Sequence, residues 1–448
     1  MNAGTAAGSG EAERDARVIN TRDTHIAPGE IAIGVIIGRT SEFFDFFVYA
    51  IASVLVFPAY CFPYVDRLTG TLYAFAIFAL AFVARPFGSL IFMAVDRNYG
   101  RGVKLTVALF VLGVSTVSVA FLPSYESVGS ASWILLAFFR ILQGLALGGA
   151  WDGLASLLAM NAPANRRGWY AMIPQLGAPL GLMVASGLFC YFVIELTQAD
   201  FLSWGWRFPF FCAFAINVVA LFARLRLVST PDFTHLFESK DLQPSPVLAT
   251  LEKEGRNIII GAFAPLASFA LFHMVTVFPL SWIAVFTHQQ VSHFLIIECV
   301  AAIFGIVGIV ASGYLADHVG RRSLLGVCAA AIAAFSGFAP QLLDAGDLGE
   351  IVFMVVGFTI LGFSFGQSSG VVASNFPSLS RYTGAALTSD IAWLFGAGFA
   401  PLAALWLAAN FGVMAAGAYL LSGALGTLIA LWINKALGTD RQEPAPAE

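Results

Sequence analysis

Long apolar runs, separated by short polar breaks, fill almost the whole sequence. A run of about 20 apolar residues is long enough to cross a bilayer as a helix. Backbone groups find no water in lipid, so such a run spans the membrane as a helix or within a closed barrel. Barrel strands are short and alternate apolar with polar residues, whereas these runs are continuous. The pattern predicts an all-α integral membrane protein with twelve transmembrane helices, at about 30–57, 69–95, 103–122, 132–160, 169–195, 205–227, 257–286, 293–316, 323–342, 350–375, 383–408 and 411–434.

The single sizeable polar break, "STPDFTHLFESKDLQPSPVLATLEKEGRN" (229–257), lies between the sixth and seventh runs. It contains prolines and charges of both signs, which is typical of a solvated linker. We therefore expect two six-helix bundles with polar tails. The predicted boundaries are 1–28 for the N-terminal tail, 29–228 for the first bundle, 229–256 for the linker, 257–436 for the second bundle and 437–448 for the C-terminal tail.

The two halves repeat one another in their loops. "VDRNYGRG" (95–102) follows the second run and "ADHVGRR" (316–322) follows the eighth. In the same way, "NAPANRRG" (161–168) follows the fourth run and "NFPSLSRYTG" (375–384) follows the tenth. A duplicated six-helix unit is typical of secondary transporters, whose substrate site lies near the membrane midplane between the repeats.

The positions of Lys and Arg predict the orientation of the chain. If both termini are cytoplasmic, eighteen of the 23 basic residues fall in cytoplasmic segments. Only Arg67 and Arg207 then lie outside, and Arg39, Arg85 and Arg140 lie within the membrane. This bias follows the positive-inside rule. We expect a multi-pass protein of the plasma (inner) membrane with both termini in the cytoplasm.

Composition supports the same class and excludes several others. The chain is 58% hydrophobic and 11% charged, with a mean hydropathy of +0.81, whereas soluble domains are about 25% charged. No basic patch points to nucleic acid. The five cysteines are scattered, without the spacing of a metal site or a disulfide framework. No nucleophile–base constellation is evident, so we expect neither an enzyme nor a bound cofactor.

The first apolar run contains the least expected residues. Glu42 and Asp45 are three residues apart and share a helix face, which Arg39 extends by one turn before and Tyr49 by one turn after. Ionisable groups inside a span face the bundle interior and either pair or bind a ligand. One interpretation is a static ion pair with Arg39 or Arg140 that holds helices together. The other, which we favour, is a role in handling protons or substrate.

Five segments match the pattern of a known family. They are "GRTSEFFDFFVYA" (38–50), "RPFGSLIFMAVDRNYGR" (85–101), "RILQGLALGG" (140–149), "GYLADHVGRR" (313–322) and "FPSLSRYTGAALTSDIAWLFGAGFAP" (376–401). Together they resemble the metabolite:proton symporter family of the major facilitator superfamily, and the resemblance covers nearly the whole chain. It implies the twelve-helix major facilitator fold and transport by alternating access.

The chain also departs from the family pattern. Phe92 replaces a glycine in the second helix, and one extra residue separates Asp96 from Gly100. In the fourth helix Ala150 stands where the family usually has Glu, and Asp152 follows two residues later. Arg39 replaces a small polar residue, and Asp390 occupies a position that is often Asn.

The resemblance and the intramembrane charges lead to three groups of candidate residues. For proton coupling we expect Glu42, Asp45 and Arg140. For substrate binding we expect Arg39, Tyr49, Arg85, Gln143, Asp152, His273, Asp390 and Trp393. For conformational gating in the cytoplasmic loops we expect Asp96, Arg97, Arg101, Asp317, Arg321 and Arg322.

Some of these assignments have plain structural alternatives. Arg85 fits helix packing as well as substrate contact. Asp152, Glu298 and Asp390 are each either a second coupling site or a satisfied interior group. His273 lies in a Phe-rich run, where a packed, hydrogen-bonded histidine is the commoner role, and basic loop residues also serve to set topology.

These observations predict a proton-coupled symporter that imports a small polar metabolite, with an organic acid as the expected substrate. Three basic residues in the membrane favour an anion, while five acidic ones (Glu42, Asp45, Asp152, Glu298 and Asp390) argue against it. A proton-driven exporter of an amphipathic compound and a substrate sensor without flux stay open as alternatives. The expected partners are the substrate, protons and lipid, with a monomer as the functional unit and no nucleic acid.

Overall fold

The computed structural model describes residues 28–150, 158, 162–163, 165–228, 244–370, 376 and 378–433. Twelve long helices, some of them broken, form the bundle. In the first half they are α1 (Pro28–Leu55), α2 (Arg67–Tyr99), α3 (Arg101–Ala120), α4 (Ala131–Gly149), α5 (Arg167–Met172, the 3₁₀ turn Ile173–Leu176 and Gly177–Glu195) and α6 (Phe208–Val228).

The second half has the same arrangement. Its helices are α7 (Leu266–Thr276 and Phe278–Phe286), α8 (Val291–Val319), α9 (Arg321–Leu342), α10 (Asp347–Phe365), α11 (Ser378–Trp393, the π-turn Leu394–Gly398 and Ala400–Phe411) and α12 (Ala416–Ile433). The described connections add short helices and 3₁₀ turns at Phe57–Cys61, Tyr125–Val128, Gln198–Ser203, Gly205–Arg207, Val247–Phe263 and Val413–Ala415.

Within the described residues, eleven helices are long and apolar enough to cross a membrane. The helix outside that group is α1, whose 28 residues include Arg39, Glu42 and Asp45 close together. The same three charges that make α1 a candidate for function therefore weaken its signal as a membrane span. With α1 included, the twelve predicted spans are the twelve long helices of the bundle.

One predicted boundary falls inside a helix. The seventh span was expected to begin at 257, after the linker 229–256, but an amphipathic helix already begins at Val247 and runs to Phe263. It ends before Pro265, which has no backbone N–H to continue the helix. Ile258 of this helix is buried against Tyr382 and Leu387 of α11, so the end of the linker is part of the packed structure.

Prolines also explain the breaks within the long helices. The two parts of α7 meet at Val277, directly before the Phe278–Pro279 pair, and Pro174 lies in the 3₁₀ turn of α5. Pro401 follows the π-turn of α11. Each proline removes one helical hydrogen bond and pushes the preceding turn out of register. The breaks lie next to the centre of the bundle, where α7 and α11 carry aromatic side chains.

Small residues hold the central helices close together. A Cβ atom on Gly144 of α4 would lie 2.3 Å from the Ala81 oxygen of α2, and one on Gly148 would lie 2.4 Å from the Arg85 oxygen. The second half repeats the device, since a Cβ on Gly362 of α10 would lie 2.5 Å from the Gly305 oxygen of α8. Such close approach is how helices pack in lipid, where apolar contact alone gives no preference.

Two different sets of contacts distinguish the two ends of the bundle. The basic face is the end where the turns at Gly100 and Gly320 lie, and where Gly168 meets Asp317. The opposite face is the end where the Tyr60 hydroxyl donates to the Leu122 oxygen and accepts from Arg207. The two halves meet mainly along α2 with α11 and α5 with α8.

Candidate functional site

A cavity lies at the centre of the bundle, between the first-half helices and α11. It holds about 1020 Å³ of space free of protein atoms, including the part open to solvent. Among the residues that the structure describes, four arginines and one carboxylate carry its charge. The lining residues are Val35, Arg39, Glu42, Phe43, Phe46, Ala81, Phe82, Arg85, Arg140, Leu147, Ala150, Pro174, Gln175, Arg224, Ser369 and Trp393.

Glu42 is held between two guanidinium groups. Its Oε2 lies 2.5 Å from Arg39 Nη1, and its Oε1 lies 2.5 Å from Arg224 Nη2 of α6. Arg224 also donates to the Ala150 oxygen at 3.3 Å. Charge-assisted contacts of this kind are about twice as strong as neutral hydrogen bonds. The predicted pairing of Glu42 with Arg39 is thus present, and Arg224 is a second partner.

Gly38 makes room for Arg224. A Cβ atom at position 38 would lie 2.5 Å from Arg224 Nε, so any larger residue would push the guanidinium away from Glu42. Arg224 itself is buried, at 2% exposure, although it is four residues from the end of α6 at Val228. The local sequence presents it as a loop-side basic residue, and only the packing of α6 on α1 turns it towards the cavity.

Asp45 lies behind the cavity wall instead of on it. It is 4% exposed, and its Oδ2 accepts from Asn217 Nδ2 at 2.5 Å and from the Thr116 hydroxyl at 3.4 Å. Asn217 in turn accepts from Ser41. Asp45 Oδ1 has no hydrogen-bond partner among the residues that the structure describes. The expected face shared by Glu42 and Asp45 is therefore divided between the cavity and the α3–α6 interface.

Arg140 and Asp45 are linked through two intermediate side chains, not by a direct ion pair. Arg140 Nη1 donates to Gln143 Oε1 at 3.1 Å, and Gln143 Nε2 donates to the Thr116 hydroxyl at 3.1 Å. Thr116 then donates to Asp45. Gln143, predicted as a substrate contact, lies in this chain and is absent from the cavity lining.

Arg140 is fixed by aromatic rings. Its guanidinium carbon lies 4.1 Å from the Tyr49 ring centroid and 4.6 Å from that of Phe78, and Nε donates to the Phe78 oxygen. Nη2 has no partner in the described part of the chain, and Arg140 lines the cavity. A desolvated guanidinium over aromatic faces gains about 2 kcal/mol from cation–π attraction. Tyr49 supports Arg140 from behind and does not reach the cavity.

Arg85 forms a bridge between the two halves. Its Nε lies 2.8 Å from Asp390 Oδ1 of α11, and the Ser89 hydroxyl donates to Asp390 Oδ2 at 2.5 Å. Asp390 is buried and lies beside the cavity without lining it. Trp393, one turn further along α11, lines the cavity, and Arg85 lies 6.0 Å above its ring. The predicted pair Asp390 and Trp393 thus meets Arg85 at this point.

Of the two remaining predicted substrate residues, His273 does not line the cavity and Asp152 lies outside the described residues. His273 is fully buried in an aromatic cluster with Phe46, Phe78 and Phe272, and neither ring nitrogen has a partner among described residues. It is therefore packed, as the structural alternative expected, but without the expected hydrogen bond in this part of the chain. Within those residues, no group of three or more His, Cys, Asp or Glu is arranged to hold a metal ion.

The cavity continues towards the second half as a smaller hydroxyl-lined pocket. This pocket shares Arg39, Gln175, Ser369 and Trp393 with the main cavity. Its additional residues come from α7, α10, α11 and the turn after α10. They are Phe269, Phe365, Ser368 and Ser389.

At the basic face, Asp96 anchors a buried polar cluster with α11. Lys104 Nζ lies 3.4 Å from Asp96 Oδ2 and donates to the Tyr382 hydroxyl at 2.6 Å. Arg101 Nε lies 3.7 Å from the same oxygen, and Arg101 lies 5.0 Å from the Tyr382 ring centroid. Arg97 points away and is exposed. Of the gating residues predicted here, Asp96 and Arg101 therefore join a contact between the halves.

The turn in the second half makes a different contact. Asp317 of α8 accepts hydrogen bonds from the backbone N–H groups of Gly168, at 2.6 Å, and Trp169, at 3.1 Å. It therefore caps the first turn of α5 from the other half, where a carboxylate is favoured by the helix dipole.

The two basic residues after Asp317 bond within their own half. Arg321 donates to the Gly370 oxygen at 3.0 Å, and Arg322 donates to the Leu431 oxygen at 2.8 Å.

The extra residue in the first turn explains why the two aspartates differ. Gly100 and Gly320 both have positive φ angles, of 84° and 86°, and both donate to the oxygen four residues before, Asp96 and Ala316. Asp96 is therefore the counterpart of Ala316, one residue before Asp317. One residue is about 100° around a helix, so the two carboxylates point in different directions.

Comparison with known proteins decides the family. The model of the family described as "Sugar (and other) transporter" matches residues 31–260. The inner membrane metabolite transport protein YhjE of Escherichia coli K12 is 36% identical over 431 residues, covering 94% of this chain and 96% of that protein. The chain belongs to the major facilitator superfamily of metabolite transporters. It is a transporter and not an enzyme.

Two further similarities are consistent with this membership. The shikimate transporter of Escherichia coli K12 is 30% identical over 409 residues, covering 88% of this chain and 91% of that protein. Among solved structures, a D-xylose–proton symporter superimposes with a TM-score of 0.70 at 16% identity, over 91% of this chain and 97% of the symporter. At that identity the structural match shows a shared fold.

Sequence reasoning missed several residues of the site. Arg224 and Lys104 were counted only as cytoplasmic basic residues that set orientation. Ser89, Asn217 and Thr116 are common polar residues in apolar helices and carried no distinct signal. Tyr382 lay within a quoted motif, but nothing local to it indicated Lys104 as its partner.

Proposed function

We propose that this protein imports a small organic acid together with at least one proton, by alternating access to the central cavity. One observation carries the proposal: among the described residues, four guanidinium groups and one carboxylate line the cavity. Counting Arg39, Arg85, Arg140 and Arg224 against Glu42, these lining residues have a formal charge of 4 − 1 = +3, and they stay positive when the buried Asp390 that pairs with Arg85 is included. A cavity of low dielectric with this charge favours an anion.

Arginine also suits the expected ligand in shape. Its planar guanidinium can hold a carboxylate through two parallel hydrogen bonds, which fixes orientation as well as charge. The hydroxyl-lined pocket of the second half then faces the rest of the substrate, with Ser368, Ser369, Ser389 and Trp393. A small hydroxylated carboxylate fits this division, and the similarity to a shikimate transporter supports it.

Glu42 provides a reason for proton coupling. In this structure its two oxygens take up one guanidinium contact each from Arg39 and Arg224. A substrate carboxylate entering the cavity competes with Glu42 for the same donors. When Glu42 binds a proton, its attraction to the arginines weakens and their N–H groups become available. Proton binding and anion binding thus favour one another, and by linkage each increases the affinity for the other.

Asp45 is the second proton-coupling residue in this proposal. Its hydrogen bonds run through Thr116 and Gln143 to Arg140, which lines the cavity. A change of charge at Asp45 therefore alters the positions available to Arg140, and a substrate anion at Arg140 alters the stability of charge on Asp45. The remaining predicted contacts, Tyr49 and Gln143, act through Arg140.

Transport requires the halves to rock about the cavity. We take residues 29–228 and 257–436 as the moving halves, joined by 229–256, with tails 1–28 and 437–448. The Asp96–Lys104–Tyr382 cluster and the cap from Asp317 to Gly168 would break when the basic face opens, so we assign them to gating. By the positive-inside rule the basic face is cytoplasmic, as are both termini. The functional unit in this proposal is a monomer in the inner membrane.

The test is uptake into proteoliposomes with the lumen more alkaline than the buffer. We expect a radiolabelled carboxylate such as shikimate to accumulate against its gradient, while a carboxylate gradient alone drives protons in the same direction. If xylose or a zwitterionic betaine accumulates and no organic acid of net negative charge does, the proposed substrate class is rejected. Proton movement opposite to the substrate would reject symport in favour of export, and binding without counterflow would indicate a sensor.

A further inference from the structure

A carboxyl group outside the cavity lies in the contact between the two halves. Glu298 of α8 is 0% exposed, and its Oε2 accepts a hydrogen bond from the Ser186 hydroxyl of α5 at 2.8 Å. Ser186 is also 0% exposed. Oε1 has no partner among the residues that the structure describes. The carboxyl group of Glu298 in the second half therefore packs against the first half, where, among the described residues, one neutral hydroxyl donates to it.

The surroundings of Glu298 offer no cation in the described residues. The titratable groups nearest to it are two thiols, Cys299 on its own helix and Cys190 on α5, which contact the Met183 and Ser292 oxygens across the same interface. His293 and Glu350 lie further towards the opposite face, at the first turns of α8 and α10. An ionised carboxylate buried with one hydroxyl and no counter-charge is strongly disfavoured.

Glu298 is separated from the cavity along the helices. It is seven residues from Val291 and 21 from Val319, so it lies about 10 Å from the end of α8 at the opposite face and about 32 Å from the basic face. Towards the basic face, Leu182 of α5 and Ile309 of α8 line a small apolar pocket in the same interface. Within the described residues, apolar side chains therefore lie between Glu298 and the basic face, and the opposite face is the nearer end of α8.

We propose that Glu298 is a second proton-binding site of the transporter, which must be protonated before α5 and α8 can close at the opposite face. This inference rests on the alternating access proposed above and adds a condition to it. With the opposite face open, Glu298 meets water and exchanges its proton with that side. The opposite face then closes only when Glu298 is neutral. A carrier in which Glu298 is ionised stays open to that side until a proton binds.

The experiment measures the equilibrium between open and closed forms by double electron–electron resonance. Spin labels on Gln198→Cys, just after α5, and Gln290→Cys, just before α8, report the distance between these two helix ends, since both positions are exposed at the opposite face and neither is charged. The five native cysteines, all free thiols, are first replaced by alanine. Glu42→Gln and Asp45→Asn are included in the background, so that the acids of the cavity contribute no pH dependence.

In that background we expect the closed fraction to rise as the pH falls, with the closed-to-open ratio changing by up to about tenfold per pH unit. Adding Glu298→Gln, which keeps the size of the side chain and can still accept from Ser186, should hold the ratio at its acid value from pH 5 to pH 9. Glu350→Gln is the matched control. It neutralises another fully buried carboxyl near the same face and should keep the pH dependence.

Two results would overturn the proposal: a ratio independent of pH before Glu298 is changed, or one that stays pH-dependent after Glu298→Gln. Glu298→Asp gives a second check, because a shorter acid should keep a pH dependence with an altered midpoint. These measurements need no substrate. If Glu298 controls closure while no carboxylate is transported in the uptake assay, the proton site stands and the proposed function fails.

Discussion

Glu42 and Asp45 are one turn apart on α1, yet they occupy opposite kinds of environment. Glu42 lines the cavity and has two arginine partners, so its surroundings are those of an ionised carboxylate. Asp45 is behind the wall, with an amide and a hydroxyl as partners, which can serve a charged or a neutral acid. Three residues rotate a helix by about 300°, so the two side chains point in directions about 60° apart. That angle is enough to direct Glu42 to α6 and the cavity and Asp45 to the α3–α6 interface.

The comparison shows that a carboxylate in a membrane span does not make a functional site by itself. The site also needs the groups within reach of that side chain, and the position of the residue around the helix axis determines which groups those are. Glu42 is placed to exchange partners with a substrate anion, whereas Asp45 is placed to hold or release a proton without touching one. Four substitutions test this division, and their expected effects decrease from Asp45→Asn to Gly38→Ala.

Asp45→Asn should abolish uphill transport and keep exchange. The amide can still accept from Asn217 and Thr116, so the packing is retained, but it cannot carry a proton. In proteoliposomes with a proton gradient of one unit, which can drive about tenfold accumulation per coupled proton, we expect the substrate only to equilibrate. Counterflow of labelled against unlabelled substrate should continue. Normal accumulation by this variant would remove Asp45 from the coupling mechanism.

Glu42→Gln should remove most of the pH dependence of substrate binding. A glutamine competes weakly with a substrate carboxylate for Arg39 and Arg224, as protonated Glu42 does. In the wild type, the affinity for the substrate should fall as the pH rises through the range in which Glu42 loses its proton, by up to about tenfold per pH unit. In the variant, the affinity should depend much less on pH. Thermal stabilisation by ligand at several pH values measures it. Glu195→Gln, at the exposed end of α5, is the control, and an unchanged slope in Glu42→Gln would contradict the exchange.

Arg224→Lys should weaken binding while leaving the fold in place. A single ammonium group is compact and cannot span Glu42 and the Ala150 oxygen as the guanidinium does. We expect about tenfold lower affinity for the carboxylate, roughly 1.4 kcal/mol. Arg207→Lys, at the opposite face beside Tyr60, tests the general effect of losing an arginine and should leave the affinity unchanged. Equal losses in both variants would show that Arg224 has no special role.

Gly38→Ala should have the smallest effect. The new methyl group would crowd Arg224 Nε, and the flexible side chain can yield by shifting away from Glu42. About threefold weaker binding, or roughly 0.7 kcal/mol, is expected. Gly187→Ala is the matched control, because a Cβ at that helical position meets nothing within 4 Å. Binding measured in the same thermal assay should separate the two; tighter binding in Gly38→Ala would contradict this account of Arg224.

Much of the fold could be predicted because membrane spans are a local property. Each apolar run and the charges of α1 can be recognised within about 30 residues, and the repeat of the loops follows from comparing short motifs of the two halves. The missed partners were distant in sequence: Arg224 is 182 residues from Glu42, and Tyr382 is 278 residues from Lys104. Both basic residues lie near helix ends, where orientation explains them well enough that no further role was suggested.

The pairing of Asp45 with Arg140 shows the same limit. Both lie on central helices, and the sequence offered a direct ion pair as one interpretation. The structure instead inserts Gln143 and Thr116 between them and places Arg140 against Tyr49 and Phe78. Gly144 and Gly148 hold α4 close to α2. Gln143 of α4 and Thr116 of α3 fill the space between Arg140 and Asp45.

By itself, then, the sequence determined that this chain crosses a membrane in two repeated halves and carries charge at its centre. The bilayer is the reason, because backbone N–H and C=O groups and charged side chains find no water there and must find partners within the protein. Apart from the local pair of Arg39 and Glu42, tertiary structure decided which charges meet. Helix rotation and close packing at glycines turn Arg224 inward, set Asp45 behind the cavity wall and seal Glu298 against Ser186. Contacts between helices hundreds of residues apart follow no local pattern.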